Sequence, residues 1–228
     1  MPPHPHLGWI NPVMREMADP GTYYDPVSKH WYTFATNGKG RNIQCWYSTD
    51  LCSWTEHPHD VLPGPFPHWT GTPGLQWAPE VISAPGNRPG HLLYYAGQDK
   101  NTGKQCIIAA YTEGGPLGPY RVIVDRPLVS RGDTGGCIDP QPFVDPQSGK
   151  RWLVFKNDQD KMYTSGTQIW IQELSEDGLS LVGHRHPLQA PSAKYQNKLL
   201  EAPYLIYHQP SGTYCLFYSS GTFTTKGE

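Results

Sequence analysis

Three carboxylates, Asp19, Asp139 and Glu201, stand at the head of apolar runs that copy one another. The copies read Ala18-Asp19-Pro20-Gly21-Thr22-Tyr23, Ile138-Asp139-Pro140-Gln141-Pro142-Phe143 and Leu200-Glu201-Ala202-Pro203-Tyr204-Leu205. A fourth, Trp77-Ala78-Pro79-Glu80-Val81-Ile82, falls between the first two. With Pro20, Pro79, Pro142 and Pro203 as markers, the intervals are 59, 63 and 61 residues. Units that ring one axis bring the same position of every copy together, which would gather the three acids at one mouth. Acids held close raise one another's pKa by repulsion and desolvation. One can then stay protonated near neutral pH while another stays ionised, the pairing that sugar hydrolysis requires. The plainer alternative for Asp19 and Asp139 is a turn, because Asp before Pro is an ordinary turn starter. Glu201 fits that alternative less well, since Glu is depleted in strands and this one opens an apolar run. Glu80 lies near the same axis and reads as a supporting acid or a partner for a backbone group.

The elements that would carry these residues follow the same rhythm. Second strands are expected at Trp31-Tyr32-Thr33-Phe34, His91-Leu92-Leu93-Tyr94-Tyr95, Arg151-Trp152-Leu153-Val154-Phe155 and Thr213-Tyr214-Cys215-Leu216-Phe217-Tyr218. Third strands follow at Gln44-Cys45-Trp46-Tyr47, Ile107-Ile108-Ala109-Ala110-Tyr111 and Thr167-Gln168-Ile169-Trp170-Ile171, and weaker fourth strands near 55–57, 120–123 and 180–182. Aromatic and β-branched runs between turn clusters are the strand signature. Four strands in about 60 residues make one propeller blade. The chain therefore reads as an all-β propeller of three blades and part of a fourth, starting near 19, 78, 139 and 201. Residues 1–17 form a Pro- and His-rich lead-in, and 18–228 form one domain.

Composition narrows the function. Gly and Pro, 24 of each, are far above average shares and mean many turns. Charged residues are 17% and the net charge is −2, with no basic stripe, which argues against nucleic acid. No apolar run is long enough for a membrane-spanning helix. The first residues lack the charged start and apolar core of a secretory signal. The five cysteines are scattered, with no CxxC pair, and read as small packing residues rather than a disulfide or zinc framework.

Several local features invite a function and have simpler readings. His57 with His59, and His184 with His186, are spaced two apart in or beside expected loops, without a Cys or a helical i, i+4 partner. They read as solvated loop residues, with no metal site. Arg131-Gly132-Asp133 matches an adhesion tripeptide, for which chance in a Gly-rich loop is the better account. Tyr47 to Trp54 holds an Asx-type turn that returns Trp54 to the core. Asp177-Gly178 is a tight turn between a third and a fourth strand. Most of the 8 Trp and 14 Tyr must fill the space between blades, leaving few to face a sugar.

In this order and spacing the motifs resemble glycoside hydrolase family 43, the five-bladed propellers that remove arabinofuranosyl or xylosyl units from plant polysaccharides. The resemblance runs from Asn11-Pro12-Val13 to the C-terminus. It includes Ala18-Asp19-Pro20, Ser48-Thr49-Asp50-Leu51-Cys52-Ser53-Trp54, Trp77-Ala78-Pro79-Glu80, Ile138-Asp139-Pro140, Glu201-Ala202-Pro203 and Tyr214-Cys215-Leu216-Phe217-Tyr218-Ser219. It implies an inverting mechanism in which Asp19 is the general base, Asp139 tunes and orients the acid, and Glu201 is the general acid. A base and an acid about 6.5–9.5 Å apart around a water suit inversion. Trp77 resembles a residue near the sugar, and Lys156 and Asp158 fall where the family carries polar residues, so a substrate-binding role is expected of each.

The resemblance further implies a plant polysaccharide or oligosaccharide as partner, an extracellular location, a monomer, and no required cofactor, while allowing a structural or central calcium ion. Against a five-bladed pattern the chain holds about three and a half blades, so it is expected to be C-terminally truncated. The leading expectation is exo release of terminal α-L-arabinofuranosyl or β-D-xylosyl units. A non-catalytic sugar-binding propeller is the alternative. A protein-interaction propeller of the Trp-Asp type is disfavoured by the long units and missing signatures. Invertase-like relatives are disfavoured because no Asn-Asp-Pro-Asn stretch occurs.

Overall fold

The computed structural model describes residues 13–130, 135–158 and 166–221. Most of the 1–17 lead-in and the Arg131-Gly132-Asp133 tripeptide lie outside the described residues.

The strands fall into four sheets in chain order. Blade one is β1 (Gly21–Asp25), β2 (His30–Ala35), β3 (Gln44–Ser48) and β4 (Thr55–Glu56). Blade two is β5 (Trp77–Ser83), β6 (His91–Gln98), β7 (Gln105–Thr112) and β8 (Arg121–Val122). Blade three is β9 (Cys137–Val144), β10 (Arg151–Asn157), β11 (Ile169–Leu174) and β12 (Leu181–Gln189). A two-stranded sheet, β13 (Leu200–His208) with β14 (Thr213–Ser220), begins the fourth. Every neighbouring pair is antiparallel, and each sheet runs in sequence order. The first strands of successive blades pack together, β1 on β5, β5 on β9 and β9 on β13, and so form the inner wall of the propeller.

The core lies between blades, which explains the near-continuous apolar second strands. In β6, Leu93 and Tyr95 join Phe34, Cys45, Ile43 and Trp69 in the cluster between blades one and two. Their neighbours Leu92 and Tyr94 face the other way, packing with Leu153, Phe155 and Leu174 of blade three. A strand buried on both faces has no polar side to alternate with. A smaller cluster of Val154, Ile169, Leu200 and Leu205 joins blades three and four. None of the five cysteines forms a disulfide, and Cys45, Cys106 and Cys137 are buried among these side chains.

Some local expectations are corrected. Trp54 is only half-buried, its Nε1 donating to Leu51 O at 3.1 Å; the turn itself is built by Asp50 Oδ1 accepting from Cys52 N and Ser53 N. The link between β11 and β12 is a six-residue loop rather than a two-residue turn, closed by Ser175 N–H donating to Ser180 O. His184 and His186 lie exposed within β12, not in a loop, because that strand runs on to Gln189.

Candidate active site

Each first strand enters through an X-Pro pair whose X residue is left-handed: Asp19 (φ 49°), Ala78 (φ 46°), Asp139 (φ 56°) and Ala202 (φ 50°). In blades two, three and four that pair sits in a β-bulge, where the register shifts between Trp77 and Glu80, between Ile138 and Gln141, and between Glu201 and Tyr204. A bulge puts an extra residue on one strand and re-aims the side chains around it. The repeat therefore aligns on Pro20, Pro79, Pro140 and Pro203 rather than on Pro142. Asp19 and Asp139 share a phase with Ala78 and Ala202, and Glu201 stands one residue earlier. The expectation that all three acids share one phase is corrected accordingly.

A cavity of 170 Å³ opens on the axis. Its first tier is Asp19, Ala78, Asp139 and Ala202, and two residues along each strand Glu80, Gln141 and Tyr204 form the next. In blade one that second position is Gly21, where a Cβ would meet Glu80 Cδ at 2.8 Å and Pro79 O at 2.2 Å. The absence of a side chain there makes room for Glu80 to reach the axis.

Each acid has one oxygen held by a fixed donor. Asp19 Oδ2 accepts from the Thr36 hydroxyl at 2.6 Å, and Thr36 Oγ1 accepts from Ala78 N at 3.0 Å. Asp139 Oδ2 accepts from Ala202 N at 2.8 Å. Glu201 Oε1 accepts from Lys156 Nζ at 3.0 Å, and that lysine is 1% exposed. Among the described residues a single buried cation therefore lies against the acids, with Lys156 beneath Glu201. The other carboxylate oxygens of the three acids have no partner among the described residues.

Burial is the main cause that pushes the Asp139 carboxyl up to about 6. Lys156 and the Ala202 N–H act to lower it, while Asp19 and Glu201 act to raise it. All three acids and the lysine therefore share one electrostatic neighbourhood. Burial likewise pushes Glu80 up to about 8. Its carboxyl has no hydrogen-bond partner among the described residues, so the backbone partner expected for it is not found. The Tyr204 phenol is raised by burial and then by Glu80 across the cavity.

Of the remaining expected residues, Trp77 is half-buried at the start of β5, beside the lining residue Ala78. Asp158 follows β10, with its N–H donating to Gly136 O at 3.0 Å. Sequence reasoning did not single out Thr36, Gln141 or Tyr204. Gln141 bridges to blade four, its Oε1 accepting from Leu205 N at 3.1 Å. His57 and His59 lie edge to face, ring centres 5.5 Å apart. Among the described residues, no group of three or more His, Cys, Asp or Glu is arranged to hold a metal, and the acids here are committed to Thr36, Ala202 and Lys156.

The arrangement thus sets Asp19 and Asp139 in the cavity wall and Glu201 beside it, one residue before the lining Ala202. Comparison with known proteins gives the fold and the family. A crystal structure of a thermostable family-43 glycoside hydrolase superposes with a TM-score of 0.80 at 27% identity, over 94% of this chain and 68% of that one. The family 43 endo-arabinanase of Bacillus licheniformis gives 0.67 at 26% identity, over 91% of this chain and 67% of that one. In sequence, the extracellular endo-α-(1→5)-L-arabinanase of Thermotoga petrophila is 24% identical over 226 residues, and the chain spans 45% of that relative's length. The model of the glycosyl hydrolases family 43 matches residues 10–227, and the chain belongs to that family.

Proposed function

We propose that this chain hydrolyses arabinofuranosyl linkages of plant cell-wall polysaccharides by general acid and base catalysis, with inversion at the anomeric carbon. The observation that carries the reading is the pair Asp19 and Asp139 in the cavity wall with Glu201 beside it, next to the lining residue Ala202 and within the field of Asp139, each acid with one oxygen fixed and one unpartnered among the described residues.

Asp19 is the base. With Oδ2 engaged by Thr36, its Oδ1 can take a proton from a water that attacks the anomeric carbon. Glu201 is the acid that protonates the departing glycosidic oxygen, its carboxyl oriented through Oε1 by Lys156. Asp139 sets the field at the acid, and its grip on Ala202 N fixes the backbone one residue from Glu201. As the glycosidic bond breaks, the leaving oxygen keeps the bonding electrons and gains Glu201's proton. The ring carbon takes the water oxygen. Negative charge around the cavity favours the oxocarbenium-like transition state. Trp77 and Asp158 are proposed to contact the sugar, whereas Lys156 acts through Glu201.

The finer reading is exo release of a terminal α-L-arabinofuranosyl or β-D-xylosyl unit, supported by a cavity of 170 Å³, below the range of about 300–1,000 Å³ usual for ligand sites. Two of the relatives are named for endo action, so products decide the mode. A polymeric substrate of this kind is met outside the cell, and the Thermotoga petrophila relative is named as extracellular.

The test is hydrolysis of α-1,5-linked arabino-oligosaccharides and of β-1,4-linked xylo-oligosaccharides by the chain and by Glu201→Gln. Proton NMR of the first product reads the anomer, and product length separates exo from endo. We expect the variant to lose about 10²–10⁴-fold in kcat on the natural oligosaccharide. Equal rates from parent and variant would overturn the assignment.

A further inference from the structure

We propose that a second cleft on blade one binds the neutral sugar unit that adjoins the one cleaved, giving the chain a subsite of its own for polymer recognition. The inference rests on the function proposed above. The cleft has a volume of 510 Å³, within the usual range of ligand sites. One side is Glu16, Met17 and Ala18, and the other is the link between β2 and β3, with Thr36, Asn37 and Lys39.

Its position relative to the acids is fixed by shared residues. Ala18 precedes Asp19, and its carbonyl accepts the Thr36 N–H at 3.1 Å. The Thr36 side chain that lines the cleft is the one that holds Asp19. A glycan unit in this cleft would therefore meet Thr36, the residue that holds the base.

Its chemistry is that of a hydroxyl reader. Gln44 lines the cleft and is 2% exposed, with Nε2 donating to Thr36 O at 2.8 Å and Oε1 without a donor among the described residues. A buried carbonyl oxygen left without a donor is unfavourable, and a ligand hydroxyl would supply one. The amide is held in place by Gly38, where a Cβ would come within 2.4 Å of Gln44 Nε2. Asn37 is anchored through its backbone N–H to Gln76 O at 2.9 Å, while its carboxamide has no partner among the described residues. Two carboxamides offer both donors and acceptors, which matches sugar hydroxyls.

Charge then selects among sugars. Lys39 is committed to Glu56 at 3.0 Å and lies over the Trp46 ring at 5.2 Å. Arg41 binds the same carboxylate at 2.6 Å. Glu16 is part of the opposite wall. With its cations spoken for and an acid across from them, the cleft favours a neutral unit over a uronic acid.

The experiment pairs kinetics with binding. The ratio of kcat/KM on α-1,5-arabinotriose to that on an aryl arabinofuranoside is measured for the chain and for Asn37→Ala. We expect the ratio to fall about five-fold in the variant, the loss of roughly one neutral hydrogen bond. Side-chain amide NMR signals of Asn37 and Gln44 are followed as arabinotriose is added, and again with xylotriose and with a galacturonic acid trimer. Shifts with a neutral trimer and none with the acidic one support the subsite. An unchanged ratio with unmoved amides overturns it, and stronger shifts with the acidic trimer overturn the preference for neutral sugar. If the chain hydrolyses nothing, the proposed function fails and the titration alone decides the subsite.

Discussion

Thr36 and Lys156 occupy the same position in two copies of the repeat, and each holds a site carboxylate. Lys156 lies opposite Ile138 in the ladder, and Thr36 donates its N–H to Ala18, one residue before Asp19 just as Ile138 is one residue before Asp139. The same rung in blades two and four pairs Ala96 with Trp77 and Ser219 with Glu201. The rung carries a short hydroxyl where an acid of its own blade needs a donor, and a long cation where the acid belongs to the next blade. It also ties blades together, since Thr36 reaches Ala78 of blade two and Lys156 reaches Glu201 of blade four.

Thr36→Val keeps the shape and removes the hydroxyl that Asp19 and the Ala78 N–H share. One neutral and one charge-assisted hydrogen bond are lost, so the fold should weaken by about 1–3 kcal/mol. Activity should fall more than stability explains, with kcat reduced about ten-fold because the base is no longer aimed. Thr36→Ser, which restores the hydroxyl, should recover most of the rate. Denaturant melts and oligosaccharide kinetics on both variants check this. A serine variant as slow as the valine one would show that Thr36 acts through packing alone.

The Lys156–Glu201 pair should show strong coupling. Glu201→Ala leaves a lysine that is 1% exposed without its carboxylate. Breaking a fully buried pair costs about 3–5 kcal/mol. Glu201 is itself 31% exposed, so water screens part of this and roughly 1–3 kcal/mol is expected here. Lys156→Met in the same background removes the stranded charge and should restore much of the loss. A double-mutant cycle by urea denaturation gives the coupling directly. Additive effects would mean that the pair is solvated and that Lys156 does not orient Glu201.

Much of this was readable in the sequence because blade strands leave a plain mark. The near-continuous run His91-Leu92-Leu93-Tyr94-Tyr95 is buried on both faces, and such runs announce a blade-to-blade core. Asp19, Asp139 and Glu201 stood out as acids before apolar runs. The bulge was not readable, since Pro140 and Pro142 both fit a proline marker and only the ladder shows that Asp139-Pro140 is the inserted pair. Nor was Thr36, whose link to Asp19 spans 17 residues and depends on how β1 meets β2. One signal was available: the position two residues after Phe34, Tyr94, Val154 and Phe217 reads Thr36, Ala96, Lys156 and Ser219, which breaks the apolar pattern around it. The buried ion pair crosses 45 residues and two blades, beyond the reach of local spacing.

The contributions of Asp139 and Glu80 to stability should fall as pH rises from about 4 to 8, the reverse of the usual behaviour of paired carboxylates. Asp139 moves from an ordinary 3.8 up to about 6, and Glu80 from 4.5 up to about 8, both chiefly through burial. A carboxyl with a higher pKa when folded than when unfolded binds its proton better in the folded state. Its contribution is complete below the unfolded value and is lost as pH climbs through the folded one. Each group can add a slope of at most about 1.4 kcal/mol per pH unit inside its window. Of the two, Glu80 dominates between pH 6 and 8, because Asp139 has largely ionised by then. Glu80→Gln keeps the shape and carries no charge, so its melting temperature should match the parent near pH 4.5 and exceed it by several degrees at pH 8. Melting curves of parent and variant across that range test the assignment. Parallel curves would mean that Glu80 is hydrated within the cavity and ionises like a surface acid.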